Sequence, residues 1–181
     1  REKLRRETQL RVDEAVAIVR QASAALDHAH AHGLVHRDIK PENILLHEGE
    51  AMVADFGIAM LPTEGRHTRL TSVGMAIGTP AYMSPEQAVG EATLDARSDV
   101  YALACVLYEL LAGEPPFTGP TAQAIIAKRF TGDVPSIRRV RPTVPAAVDH
   151  ALRRAMSPAS ADRFPSCGAF ADALVAPAAA D

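Results

Sequence analysis

The stretch that most constrains the fold is "VYALACVLYELLAG", residues 100–113. Val100, Leu103, Ala104, Leu107 and Leu111 recur at helical spacing and leave little polar face. A helix over 97–112 that is apolar all round must be enclosed by protein or by lipid. It carries Glu109 and falls short of the ~20 apolar residues that span a bilayer. The remaining solution is the centre of a globular core, with other helices packed around it. "AGEPPF" ends this helix through Gly113, Pro115 and Pro116.

The flanking sequence supplies such helices. Val12, Val16, Val19 and Leu26 repeat at 3–4 spacing and predict a helix over 13–33, with Asp13 as its cap and Gly33 as its left-handed stop. Shorter helices are expected over 120–129, 145–156 and 165–175. The apolar runs 44–46 and 51–54 surround "HEGE" and read as a hairpin with Gly49 in its turn. Residues 57–84 are rich in Gly, Thr, Ser and Pro, and a loop that long is usually functional or disordered. The expected class is α+β, mainly α.

Bulk numbers exclude several functions. The chain has 181 residues, a net charge of −3 and 23% charged residues. A nucleic-acid binder would show a basic excess. Cys105 and Cys167 are too few for a disulfide scaffold, lack metal-ligand spacing, and read as buried small hydrophobes in a reducing compartment. No signal peptide or membrane span is visible. His28 and His32 lie four apart on one helix face, but no carboxylate or Cys stands at ligand spacing beside them, so they read as a helix end. "RRVR" (138–141) reads as a solvated loop.

The chemistry concentrates in "HRDIKPEN" (36–43) and "DFG" (55–57). Asp38 precedes Lys40 by two residues and Asn43 by five, and Asp55 follows Asn43 by twelve. Asn43 and Asp55 are oxygen donors suited to a hard cation such as Mg²⁺. Lys40 suits a transferred phosphoryl group, and Asp38 can accept a proton from an attacking hydroxyl. Together these residues describe a phosphoryl-transfer site.

"AHAHGLVHRDIKPENILL", "DFGIA", "GTPAYMSPE", "SPEQA" and "SDVYALACVLYELLAGEPPF" together resemble the bacterial eukaryotic-like (Hanks-type) serine/threonine protein kinases. The likeness runs from about residue 4 to residue 175. It implies a protein-kinase-like fold, here the large C-terminal lobe with a small β-hairpin at the catalytic loop. Residues 1–175 would form that lobe and 176–181 a linker or tail.

The resemblance also implies roles. Asp38 matches the catalytic base and Lys40 the lysine that approaches the transferred phosphate. Asn43 and Asp55 match the metal ligands. Lys40, Glu42, Asn43, Leu45 and Asp55 fall in the nucleotide-side set, with Leu45 beneath adenine. His36 and Phe56 match a stacked spine, next to Gly57 of "DFG". Thr79 would bond toward Asp38 and Lys40. Glu86 would pair with Arg163, and Asp99 would accept backbone N–H groups of the catalytic loop. Arg37 would receive a phosphate from the activation loop, with Thr71 the first candidate and Ser72 and Thr68 behind it. Ala102 and Ala104 stand where the family often has Ser and Gly, with no functional consequence expected. Glu109 could attract a basic residue of a peptide substrate, although many relatives carry Glu there.

The implied cofactors are ATP and Mg²⁺, with Mn²⁺ as a substitute. The implied partners are a protein substrate with Ser or Thr and a second kinase copy for trans-autophosphorylation; nucleic acid is not among them. The family's G-x-G-x-x-G lid is not in the sequence, since no two of the eleven glycines stand at i, i+2. None of the three lysines sits in a strand-like run before the catalytic loop. The expectation is therefore a fragment whose N-lobe is supplied in cis, inactive and weakly nucleotide-binding by itself, with a sticky interlobe face. A cytoplasmic location follows, with a membrane anchor of the parent left open. Two other readings compete: a truncated, pseudokinase-like binding module, and a small-molecule kinase of the aminoglycoside phosphotransferase type. "GTPAYMSPE" argues against the second, because that family lacks a peptide-docking segment.

Overall fold

The computed structural model describes residues 1–56, 80–130 and 134–176. The apolar helix is central, as its composition requires. This helix, α4 (Ala96–Ala112), is buried without a break from Ser98 to Ala112. Asp95 caps its start by accepting from the Arg97 N–H at 2.8 Å. Gly113 ends it at φ 89°, where its N–H donates to the Glu109 carbonyl at 2.8 Å. A side chain there would meet the Thr8 carbonyl at 3.0 Å, so glycine is required for both conformation and space.

Around α4 lie α2 (Val12–Ala31), α7 (Ala146–Ala155) and α8 (Cys167–Val175). In α2, Ala15, Val16, Ile18, Val19, Ala22, Leu26 and Ala29 are buried, the 3–4 pattern read from sequence. Gly33 at φ 75° ends this turn of chain, and its N–H bonds the His30 carbonyl at 2.9 Å. Asp13 is not the cap. Arg11 holds that position, and Asp13 lies inside the first turn, bonded to the Arg11 guanidinium at 2.6 and 3.1 Å.

Helix α5 (Ala122–Phe130) starts two residues later than expected, with the Thr121 hydroxyl accepting from the Ala124 N–H at 3.1 Å. Helix α8 likewise starts at Cys167, after the capping residue Ser166. Three short helices are additions to the sequence reading: α1 (Glu2–Glu7), α3 (Pro85–Ala88) and α6 (Ile137–Val140). Each is too short for hydrophobic periodicity to register. Consequently "RRVR" is not a solvated loop throughout. Arg141 reaches back to the Leu10 carbonyl at 2.6 Å.

Strands β1 (Ile44–His47) and β2 (Glu50–Val53) form the antiparallel hairpin. Its two turn residues, Glu48 and Gly49, both have positive φ, as a tight twisted hairpin demands. Gln21 of α2 fixes it by accepting from the Ala51 N–H at 2.7 Å. The mainly α arrangement with one hairpin agrees with the expected fold class. Leu45 and Met52 pair across the hairpin and are each about half exposed, 48% and 49%.

Candidate active site

Hairpin register sets the backbone of Asn43 beside the residue that precedes Asp55. Ile44 pairs with Val53, and the Ala54 N–H donates to the Asn43 carbonyl at 2.9 Å. Asn43, in the 3-10 turn Pro41–Asn43, therefore faces the residue just before Asp55. The Asn43 amide donates to the Asp38 carbonyl at 2.8 Å and lies 3.4 Å from the Asp38 carboxylate. Its amide nitrogen is used, which leaves its oxygen for a cation. Asp55 is exposed and held at φ 57°. The exposed carboxylate and the amide oxygen form a donor set that fits Mg²⁺.

Asp38 is partly open, its side chain 42% exposed, and Lys40 donates to its Oδ2 at 2.7 Å. Asp38 thus has a basic neighbour and an approach from solvent. Glu42 points elsewhere, to the Arg1 guanidinium at 3.2 Å.

The loop is held from beneath by Asp99, which is fully buried on α4. One oxygen accepts from the His36 N–H at 2.8 Å and the other from the Arg37 N–H at 2.8 Å. His30 Nε2 donates to the same carboxylate at 2.7 Å. A buried carboxylate with three donors is satisfied, so it can fix the loop without a stability penalty of its own. His36 in turn accepts from the Asp38 N–H through Nδ1 at 3.3 Å and donates from Nε2 to the Ala54 carbonyl at 2.9 Å. Its ring lies 4.8 Å from that of Phe56. The 36–43 loop, the hairpin exit and α4 are thereby one hydrogen-bonded unit.

Arg37 has φ 69°, a conformation that costs a side-chain-bearing residue about 1–2 kcal/mol. Its backbone is clamped on both sides: its N–H by Asp99, and its carbonyl by Gln87 Nε2 at 2.7 Å. Gln87 also completes a capping box with Ser84 at the start of α3. The sequence reading missed both Gln87 and His30. Each acts through a contact about 50 or more residues away, which leaves no local signal. The buried Arg37 Nε has no partner among the described residues, leaving a donor for an anion.

Glu86 and Arg163 form a bidentate pair at 2.7 and 2.8 Å, with side chains 10% and 0% exposed. Burial alone would raise the Glu86 carboxyl. Hydrogen bonds from Arg163 and Ser98 outweigh it and hold the group down at about 2. Glu109 is buried, and its carboxylate is taken by the Tyr82 hydroxyl and the Arg1 guanidinium. Thr68, Thr71, Ser72, Thr79 and Gly57 lie outside the described residues.

Both cysteines are buried and free, as expected. Their surroundings differ. Cys105 faces the Met156 sulfur at 3.8 Å, and burial pushes its thiol up to about 12. Cys167 instead stands with Asp27 and His30, a grouping that spacing in sequence did not show. The His28 and His32 rings lie 4.7 Å apart, tilted at 47°, and His32 Nδ1 bonds the His28 carbonyl at 2.8 Å, an ordinary helix end.

Helical lobe, hairpin and clamped loop agree with the expected kinase-like fold, and sequence comparison shows the family. The protein kinase domain model matches residues 1–164. The chain belongs to the protein kinase family, in its bacterial Hanks-type serine/threonine branch. It is 42% identical over 158 residues to the serine/threonine-protein kinase PknH of Mycobacterium tuberculosis, covering 87% of this chain and 25% of PknH. It is 43% identical over 166 residues to PknE of the same species, covering 91% of this chain and 28% of PknE. It is 45% identical over 159 residues to PknD, covering 87% of this chain and 23% of PknD. The chain therefore spans about a quarter of the length of these curated relatives. Among the described residues no helix is long and apolar enough to cross a membrane.

Proposed function

We propose that these residues form the catalytic-loop side of an ATP-dependent kinase that phosphorylates Ser or Thr of protein substrates. The observation that carries this reading is the Asp38 carboxylate, open to solvent, bonded to Lys40 at 2.7 Å and set on a loop that Asp99 pins at two consecutive N–H groups. Asp38 takes the proton of the attacking hydroxyl. Lys40 offsets charge on the transferred group while keeping Asp38 oriented. The Asn43 oxygen and the Asp55 carboxylate would hold Mg²⁺, which would neutralise charge on the phosphates of ATP, the phosphoryl donor. The exposed Leu45–Met52 pair offers an apolar surface to a base. Arg37, whose buried Nε has no partner among the described residues, would bind a phosphate placed on the activation segment.

The Gly-rich lid and strand-borne lysine that this chemistry uses are not among the 181 residues. The test therefore uses a protein that carries them joined to this chain. Asp38→Asn is expected to lower the turnover rate about 10²–10⁴-fold, the usual weight of a general base, with little change in nucleotide affinity. Turnover near that of the unmodified kinase would remove Asp38 from the base role. Nucleotide titration with and without Mg²⁺ separates this reading from a non-catalytic binding module, which would show no Mg²⁺-dependent ATP binding.

A further inference from the structure

Asp27, His30 and Cys167 meet where α2 packs on the start of α8. One ligand atom from each lies within 4.8 Å of the others. Asp27 and His30 are one helical turn apart, and Cys167 comes from the far end of the chain. None of the three belongs to the phosphoryl-transfer machinery, although His30 supports it through Asp99.

The hydrogen-bond pattern decides which ring nitrogen of His30 is available. Asp99 already accepts two backbone N–H groups, which assigns the donor role in the 2.7 Å contact to His30 Nε2. The lone pair of the neutral ring is then on Nδ1. That atom is buried and has no hydrogen-bond partner among the described residues, and the side chain is 10% exposed. Its nearest carboxylate oxygen, Asp27 Oδ1, lies 3.7 Å away. This distance is too long for a hydrogen bond, but two ligands of one small ion sit at about this separation when each bond is about 2.0–2.2 Å. A carboxylate on one imidazole nitrogen with the other nitrogen left for a cation is the arrangement that orients metal-binding histidines.

Asp27 is itself held in place. Its two oxygens accept the Cys167 and Gly168 N–H groups at 3.0 and 2.8 Å. A side chain at position 168 would lie 2.6 Å from that carboxylate, so the glycine makes room for it. Two carboxylates, Asp27 and Asp99, flank the His30 ring at 3.7 and 2.7 Å, which favours a positive occupant.

We infer that Asp27, His30 Nδ1 and Cys167 form a binding site for a borderline-soft divalent cation, with Zn²⁺ the best fit. One carboxylate, one imidazole and one thiolate are ligands this ion accepts, and Cys167 releases its proton to solvent on binding. Asp27 is about a third exposed, which gives the ion an entry path from solvent. Bound there, the ion cross-links α2 to α8 and fixes the His30 ring that bonds Asp99.

The test is titration of chelator-treated, reduced protein with Co²⁺ as a spectroscopic probe, followed by Zn²⁺. The expected result is one ion per chain with a thiolate-to-cobalt charge-transfer band that Zn²⁺ abolishes. The band should disappear in Cys167→Ala and persist in Cys105→Ala. Asp27→Asn should weaken binding about tenfold or more. Saturation without that band, or a band that survives in Cys167→Ala, overturns the inference. Should Cys167→Ala fail to fold, X-ray absorption of the unmodified zinc-loaded protein decides. One sulfur with nitrogen and oxygen neighbours supports the site, and a sulfur-free shell refutes it.

Discussion

Replacing Glu86 by Gln should be among the most damaging single changes in this lobe. Arg163 is fully buried, and its five N–H groups have five acceptors among the described residues. Two go to the Glu86 oxygens, one to the Arg97 carbonyl at 3.1 Å, one to the Pro158 carbonyl at 3.0 Å and one to the Ser157 carbonyl at 2.8 Å. The guanidinium also lies 4.9 Å from the Tyr101 ring centre. Glu86→Gln keeps the shape and removes the compensating charge, leaving a buried cation. Breaking a buried pair from one side costs about 3–5 kcal/mol. For a domain of this size that is a fall in Tm of roughly 6–20 °C. Urea unfolding and calorimetry on the unmodified chain and the variant measure it. Arg163→Met should cost at least as much, because it also strips three carbonyls of their donor. A loss below about 1 kcal/mol for Glu86→Gln, the range of exposed pairs, would refute the claim that the pair is buried and balanced.

The same carboxyl sets an acid limb. Its folded pKa of about 2 lies below the ordinary carboxylate value of 4.5, so its contribution is complete above about pH 4.5 and lost as pH falls toward 2. The loss should approach about 3 kcal/mol, and it should be absent from the pH–stability profile of Glu86→Gln. Gly113→Ala should destabilise by about 1–2 kcal/mol, because φ is 89° and the new carbon meets the Thr8 carbonyl; thermal melts measure this, and an unchanged Tm would contradict the geometry. In active kinase carrying this chain, phosphopeptide mapping should find modification at Thr71, Ser72 or Thr68; an active enzyme without phosphate over residues 66–79 would remove the phosphate-receiver role from Arg37.

The sequence by itself determined the core and the spacing of the candidate site residues. An all-apolar helix over 97–112 had to be central, and α2 had to present its 3–4 stripe to it, because burial of apolar area follows local periodicity. The order Asp38, Lys40, Asn43, Asp55 was legible because those residues lie on one short loop–hairpin unit whose register the turn dictates. Short helices such as α3 and α6 were not legible, since four residues carry no period.

Tertiary structure alone decided the long-range polar contacts. Asp99 reaches His30, His36 and Arg37 across more than sixty residues, Gln87 reaches the Arg37 carbonyl, and Asp27 and His30 meet Cys167. A hydrogen bond or ligand pair depends on atoms placed to within a few tenths of an ångström. Only the packing of α2, α4 and α8 fixes that placement. Hydrophobic pattern specifies which faces turn inward and is indifferent to which polar group then meets which.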